Sequence, residues 1–308
     1  MQMKKIIRTL LICTLFSSSF TFLYAQVTIK MVDPSETNAS IDRVHAPHLT
    51  AYNNRVPSKH KLILMIVGTG AHTTDSRAMD SVFATWGYHV ISLDYKNNVI
   101  TTVCSPSEDS TCFDLYRQEI ITGTAVSDKV DVDSTNSLLN RLNCLLRYLV
   151  NKDPGGKWNE FFVAEQPVWK KIITAGHSQG AGHAAYLGKM FELNRVLMFS
   201  GPQDYLDKME KPGAWQSGKS ATPPSRFFAF LHLKDPFNIQ HQLADNMKLM
   251  QVSMPDTVMV RPGITIQGRS QILVNDIPTD NPHGSTVSLQ FINAWKYMLG
   301  EKYKSMKR

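Results

Sequence analysis

The sequence predicts an α/β fold, in which a mostly parallel sheet is covered by helices on both faces. Short runs of consecutive apolar residues alternate with longer segments of helical periodicity. The apolar runs are continuous, as expected for parallel strands buried on both sides. The chain has 308 residues, 43% of them hydrophobic, and neither an internal repeat nor a low-complexity linker divides it. These features favour one domain over two.

The clearest predicted strand is 61–67, where six apolar residues in a row precede Gly-Thr-Gly. The clearest predicted helix is 137–150, because Leu138, Leu142 and Leu145 recur at helical spacing. In chain order, the predicted strands are 27–33, 48–56, 61–67, 89–95, 170–175, 195–200, 226–233 and 271–276. The predicted helices are 76–86, 114–121, 137–150, 179–191, 239–250 and 286–299.

The charge pattern excludes several classes of protein. The chain has 33 Lys and Arg against 26 Asp and Glu, a formal charge of +7. With this hydrophobic content, the balance does not fit an intrinsically disordered protein. No basic run interleaved with aromatic residues follows the N-terminal segment, so we expect no nucleic-acid partner.

The first 25 residues have the pattern of a secretory signal peptide. Three basic residues precede an apolar stretch, and a Ser- and Phe-rich stretch then ends at Ala25. We expect cleavage after Ala25, export to the periplasm or the medium, and a single domain over 26–308. No later segment approaches 18 consecutive apolar residues, so no stable membrane insertion is expected once the signal is removed.

Cysteine placement predicts one disulfide. Cys104 and Cys112 flank a polar, turn-rich stretch of seven residues, and a disulfide between them would pin this loop in an oxidising compartment. Cys144 lies among leucines, as a buried structural cysteine does. The segment 202–224, rich in Gly, Pro, Ser and Lys, is an insertion and a candidate cap or lid.

A nucleophile is predicted where strand 170–175 meets helix 179–191. The connecting residues read Gly-His-Ser-Gln-Gly, with Ser178 at the centre. A strand that turns directly into a helix holds its central residue in a strained conformation. Flanking glycines remove the Cβ atoms that would collide in so tight a turn. The turn would present the Ser178 hydroxyl beyond the end of the strand, at the start of the helix.

A serine nucleophile needs a base, and the base needs an orienting carboxylate. His283 lies in a loop between the last predicted strand and the last helix, at the sheet edge where such folds carry functional groups. Two aspartates follow earlier strands at that edge, Asp235 and Asp204. We favour Asp235, which directly follows its strand, and keep Asp204 as the alternative acid.

An oxyanion intermediate needs two backbone N–H donors. One candidate is the amide of Gln179, the residue after the nucleophile. The other comes from the loop that follows strand 61–67, with Thr69 as first choice and Gly70 as alternative. This loop lacks the third glycine of a dinucleotide site and the lysine of a Walker motif.

These motifs, with Ser178, Asp235 and His283 in this chain order, resemble the α/β-hydrolase superfamily. The resemblance runs from about residue 61 to the C-terminal helix. It implies an eight-stranded, mostly parallel sheet and the hydrolysis of esters or related compounds. Many members have His-Gly before the oxyanion donor, whereas this sequence has Val67-Gly68.

The sequence is therefore interpreted as an exported serine hydrolase, a carboxylesterase that cleaves small or medium esters through a Ser-His-Asp triad. An acyltransferase with the same triad and a non-catalytic binding protein on the same fold are the alternatives. The sequence contains neither His-Glu-x-x-His nor Cys-x-x-Cys, so no metal site is expected. The proposed chemistry needs no cofactor, and the expected partner is a small-molecule ester.

Overall fold

A nine-stranded sheet forms the centre of the part of the chain that the computed structural model describes, residues 27–254 and 256–301. The predicted signal peptide lies outside the described residues. The strands of the sheet are β1 Thr28–Val32, β2 His48–Tyr52, β3 Leu62–Ile66, β4 His89–Ser92, β5 Ile172–His177, β6 Arg195–Phe199, β7 Phe227–His232, β8 Thr257–Met259 and β9 Ile272–Asn275.

The strand order across the sheet is β1-β2-β4-β3-β5-β6-β7-β9-β8. The pairs β1–β2 and β2–β4 are antiparallel, and every other pair is parallel. The predicted fold class, a single-domain α/β fold built on a mostly parallel sheet, is confirmed. The sheet has nine strands rather than eight, because the three-residue β8 adds to the edge of β9.

Helices cover both faces of the sheet. Their bounds in the described residues are α1 Pro34–Thr37, α2 Arg77–Thr85, α3 Cys112–Thr122, α4 Leu138–Lys152, α5 Gln179–Met190, α6 Ile239–Met250, α7 Pro282–Ser285 and α8 Ile292–Leu299. Helices α3, α4, α5 and α6 contribute to one apolar core, and α2 and α8 contribute to the other. Along β3, Leu62, Leu64 and Ile66 face the first core, whereas Ile63 and Met65 face the second. This alternation explains why the strand is apolar throughout.

The C-terminal helix begins later than predicted. It was expected over 286–299, but α8 starts only at Ile292. The Thr286 carbonyl accepts a hydrogen bond from the Trp295 indole, and the hydroxyls of Thr286 and Ser200 are 2.8 Å apart. These side-chain contacts tie Thr286 to the sheet edge, and a separate short helix, α7, precedes it.

The predicted insertion 202–224 packs against α3. It contains a two-residue ribbon, Tyr205–Leu206 paired with Lys211–Pro212, and a buried Trp215 near Arg117 of α3. Cys104 and Cys112 form the predicted disulfide, with a Cα–Cα distance of 5.6 Å, which ties the first residue of α3 to the turn before it. Among the described residues, no helix is both long and apolar enough to cross a membrane.

Candidate active site

Ser178 lies in a strained turn between β5 and α5. Its backbone angles are φ 57° and ψ −124°, a combination that residues with a side chain rarely adopt. A Cβ added to Gly176 would lie 2.1 Å from the carbonyl oxygen of Gly180. A Cβ on Gly180 would lie 2.0 Å from the carbonyl oxygen of Ile66. Both glycines are therefore required by close backbone approaches, and the turn is held tight around the serine.

His283 and Asp235 are brought together at the same edge of the sheet. The Nδ1 atom of His283, in α7, lies 2.8 Å from Oδ2 of Asp235, which follows β7. The Asp235 side chain is fully buried, and its other carboxylate oxygen accepts the amide N–H of Phe237 at 2.9 Å. Because a carboxylate only accepts, we assign the proton to Nδ1, which leaves a lone pair on Nε2.

The Nε2 atom of His283 is buried and makes no hydrogen bond with the described residues. Burial raises the pKa of Asp235, but the hydrogen bond and charge of His283 outweigh it, so that the pKa lies below its ordinary value. Asp235 is therefore ionised at neutral pH and orients an imidazole whose second nitrogen is unoccupied. Such a nitrogen is what a general base requires.

The main chain of His283 is held by two neighbouring strands. Its carbonyl oxygen lies 3.0 Å from Nε2 of His177, at the end of β5, and accepts the Ser200 hydroxyl, next to β6, at 2.6 Å. The centroids of the two imidazole rings are 4.9 Å apart. Burial, and then the charge of His283, lower the pKa of His177 to about 4, so its Nε2–H serves as a neutral donor. His283 is thereby fixed to the strand that leads into Ser178.

Ser178 makes no side-chain hydrogen bond with the described residues, and the structure shows no bond between its hydroxyl and His283. Catalytic hydrogen bonds of this kind are often long without substrate and tighten in the Michaelis complex. The contact between His177 and His283 nevertheless brings the histidine loop to the residue that precedes the serine.

The loop after β3 passes directly beside Ser178. A Cβ on Gly68 would lie 3.0 Å from the Cβ of Ser178, a tight contact that would require one of the two segments to shift. The Thr69 hydroxyl donates to Oε1 of Gln179 at 2.5 Å and links this loop to the start of α5. In the described part of the chain, the amide nitrogens of Thr69 and Gln179 have no hydrogen-bond partner. These are the two predicted oxyanion donors.

The alternative donor, Gly70, is already occupied. Its amide N–H donates to the carbonyl of Asn97 at 3.1 Å, so it is not free for an oxyanion. Arg117 donates from Nη1 to the carbonyl oxygen of Gln179 at 3.2 Å. This bond fixes the backbone of Gln179 at its carbonyl and leaves its amide N–H unoccupied. The geometry therefore favours Thr69 and Gln179 over Gly70.

The carboxylate of Asp204 bonds to Arg117 and Trp215, whereas His283 bonds to Asp235. The Asp204 carboxylate forms a two-point ion pair with Arg117, with both N–O distances at 2.5 Å, and it also accepts the Trp215 indole N–H at 2.9 Å. The side chains of Asp204 and Arg117 are fully buried. The alternative acid is thus part of the packing between the insertion and α3, because Arg117 occupies its carboxylate.

The sequence reasoning missed three residues that support this site: Arg117, His177 and Ser200. A signal for Arg117 was present, because it lies on the same face of α3 as Phe113 and Tyr116, both fully buried. A charge on an otherwise apolar helix face indicates a buried partner. His177 and Ser200 had no comparable signal, because their contacts are with a backbone carbonyl.

No protein-family model matches this sequence, and no curated protein matches it. Among solved structures, a Thermus thermophilus protein is similar with a TM-score of 0.46 and 14% identity, covering 90% of this chain and 100% of that chain. Esterase B from Lactobacillus rhamnosis has a TM-score of 0.46 and 10% identity, covering 89% and 84%. A bacterial heroin esterase has a TM-score of 0.45 and 11% identity, covering 96% and 88%. At these similarities, the function has to be argued from the geometry of the site.

Proposed function

We propose that this protein is a serine hydrolase that cleaves carboxylic esters of small or medium size, with Ser178 as nucleophile, His283 as base and Asp235 as orienting acid. The observation that carries the proposal is the state of His283. Its Nδ1 bonds to a buried carboxylate, while its buried Nε2 has no partner among the described residues. Other histidines of the described residues also have a buried nitrogen without a partner, but of these only His283 has its second nitrogen bonded to a carboxylate, as a general base requires.

In the first half of the reaction, the Ser178 oxygen attacks the ester carbonyl carbon and its proton passes to Nε2 of His283. The carbonyl oxygen becomes an oxyanion, which the amides of Thr69 and Gln179 stabilise. The bond to the alcohol oxygen then breaks, and that oxygen takes the proton from Nε2. The products are a free alcohol and an acyl group bonded to Ser178.

In the second half, water attacks the acyl carbon while His283 Nε2 takes one of its protons. The bond to the Ser178 oxygen breaks, and this oxygen recovers the proton from Nε2. A carboxylic acid leaves and the enzyme returns to its starting state. Asp235 stabilises the imidazolium in both halves and does not itself take up the proton.

Labelling by a fluorophosphonate probe and hydrolysis of p-nitrophenyl acetate test this proposal. We expect wild-type protein to give both signals and Ser178→Ala to lose both, with unchanged thermal unfolding. Ser81→Ala serves as the matched control, because that hydroxyl bonds to the Arg77 carbonyl within its own helix. Persistent ester cleavage by Ser178→Ala would refute the assignment, and unlabelled wild-type protein would support the binding-protein alternative.

We further propose that the protein is exported. The pattern of residues 1–25 and the Cys104–Cys112 disulfide, which is typical of oxidising compartments, support this. Expression of the full chain in a bacterium, followed by N-terminal sequencing of the periplasmic and medium fractions, should yield a chain that begins at Gln26. Retention of the uncleaved chain in the cytoplasm would contradict export.

A further inference from the structure

An open cleft of about 560 Å³ lies beside the Asp235–His283 pair. Phe237 forms part of its lining, and the centroid of this ring is 4.6 Å from that of His283. The amide of Phe237 also donates to Asp235. Phe237 therefore connects the lining of the cleft to the proposed base and to its orienting acid.

Aromatic rings form one part of the cleft. Tyr205 and His241 both line it and stack on each other, with ring centroids 3.8 Å apart and planes within 12°. Both are only partly buried, as is Phe237. Rings held in a stack offer a flat apolar surface that loses little conformational entropy when a ligand covers it. Such a surface fits a ligand with a flat apolar face.

Polar groups are interleaved with these rings. Gln203 is only 5% exposed and donates from Nε2 to the Ser200 carbonyl, whereas its Oε1 accepts no hydrogen bond from the described residues. Asp207 and Asn238 are exposed at the rim, and Nδ1 of His241 lies 3.7 Å from the Asp207 carboxylate. These acceptors and amide groups fit a ligand that carries several hydroxyl groups.

The lining also argues against an anionic ligand. The described residues that form the cleft include one carboxylate, Asp207, and neither Lys nor Arg. An anionic alcohol group would face Asp207 without a compensating cation, and a purely aliphatic one would leave the Gln203 oxygen without a partner. A neutral ring that has an apolar face and several hydroxyl groups satisfies both requirements.

We propose that this cleft binds the alcohol portion of the ester and that this alcohol is a sugar, so that the substrate is an O-acylated carbohydrate. The inference rests on the proposed esterase function. The sugar ring would lie against Tyr205 and His241, and its hydroxyl groups would bond to Gln203 and Asp207. On cleavage, the freed sugar oxygen takes its proton from Nε2 of His283 and leaves through the open side of the cleft.

A matched pair of esters tests the proposal. Methyl 6-O-acetyl-glucopyranoside and cyclohexylmethyl acetate are both primary acetates on a six-membered ring, and only the first carries hydroxyl groups on that ring. We expect a kcat/KM at least tenfold higher for the sugar ester, measured by acetate release. Equal values, or a preference for the cyclohexyl ester, would overturn the proposal.

Substitutions of residues that line the cleft provide a second test of the sugar site. Tyr205→Ala and Asp207→Ala should each lower kcat/KM for the sugar ester about tenfold, mainly through KM, and should lower kcat/KM for methyl acetate, whose alcohol portion is a single methyl group, much less. Tyr148→Ala is the matched control, because that ring is on α4 and its hydroxyl bonds to Glu36. Equal losses on both substrates would indicate a structural role and contradict the proposal.

Binding measured without turnover separates this proposal from the proposed function. Saturation-transfer NMR with methyl β-glucopyranoside and the Ser178→Ala protein should give a signal that Tyr205→Ala, added to that variant, removes. If the wild-type protein cleaves p-nitrophenyl acetate but this signal is absent, the sugar site is refuted and the esterase remains. If the signal is present but no ester is cleaved, the site is supported and the esterase fails.

Discussion

The segments that follow β6 and β7 each bring an aspartate to the same edge of the sheet, yet the two carboxylates have different partners. Asp204, after β6, is held by the guanidinium of Arg117, which remains charged at every physiological pH. Asp235, after β7, meets Nδ1 of the His283 imidazole, whose other ring nitrogen has no partner among the described residues. The chemistry open to each carboxylate is therefore set by the side chain that it meets, and its position at the sheet edge is not sufficient.

The largest expected effect is on catalysis by Asp235→Asn. The side-chain amide can no longer both accept from Nδ1 and stabilise the imidazolium, so kcat for p-nitrophenyl acetate should fall about 10⁴-fold. Thermal unfolding should change little by comparison. If Asp204→Asn lowers kcat per folded molecule as much as Asp235→Asn does, the assignment of the acid is wrong.

The second prediction concerns the contribution of Asp204 to the stability of the fold. Asp204→Asn leaves the buried guanidinium of Arg117 without a compensating charge, which should cost about 3–5 kcal/mol of unfolding free energy. Urea denaturation measures this loss. Asp42→Asn, which breaks the surface pair with Lys96, is the control and should change little. If both variants lose the same unfolding free energy, the buried ion pair contributes no more to stability than the surface pair does.

The difference between the two aspartates also marks the limit of what the sequence predicts. The turn at Ser178 is determined by residues within two positions of it, so a local motif was sufficient. The choice between Asp204 and Asp235 depends on Arg117, 87 residues before Asp204 in the chain, and on His283, 48 residues after Asp235. No local pattern contains that information.

The same distinction applies to the fold. The strands at the centre of the sheet were predictable because burial on both faces makes each of them apolar throughout. Strand β8 was missed, because its three residues are at least partly exposed and it owes its conformation to pairing with β9. The start of α8 was misplaced because Thr286 bonds to Ser200, a residue of another strand's end.

The third prediction concerns the disulfide at the start of α3, the helix that carries Arg117. Replacing both Cys104 and Cys112 by Ala should lower the unfolding free energy by about 2.5 kcal/mol, the value expected for so short a ring. Because the contact between Asp235 and His283 does not depend on this disulfide, kcat per folded molecule should stay within twofold. Urea denaturation and a single-substrate assay measure both quantities. A loss of kcat without a loss of stability would show that the disulfide acts on the site directly.

The smallest expected effect is on the pH dependence of the unfolding free energy, to which Asp245, beside Asp204, and Asp235 contribute with opposite sign. Burial, and then the charge of Asp204, raise the pKa of Asp245 well above its ordinary value of 3.8. The folded state therefore holds this proton more tightly than the unfolded state does, so the Asp245 contribution to stability declines as the pH rises above about 4. For Asp235, whose folded pKa is lowered, the sign is opposite, and its contribution is lost as the pH falls below about 4.

Each group changes the slope of unfolding free energy against pH by at most about 1.4 kcal/mol per unit. Asp245→Asn should flatten the decline between pH 5 and 7, whereas Asp235→Asn should flatten only the loss below pH 4. Asp80, whose pKa burial raises to about 7, contributes with the same sign as Asp245, so Asp80→Asn is the reference for a carboxyl outside this cluster. If Asp245→Asn leaves the slope between pH 5 and 7 unchanged while Asp80→Asn reduces it, Asp245 is ionised in the folded protein. In that case Arg117 neutralises two carboxylates rather than one.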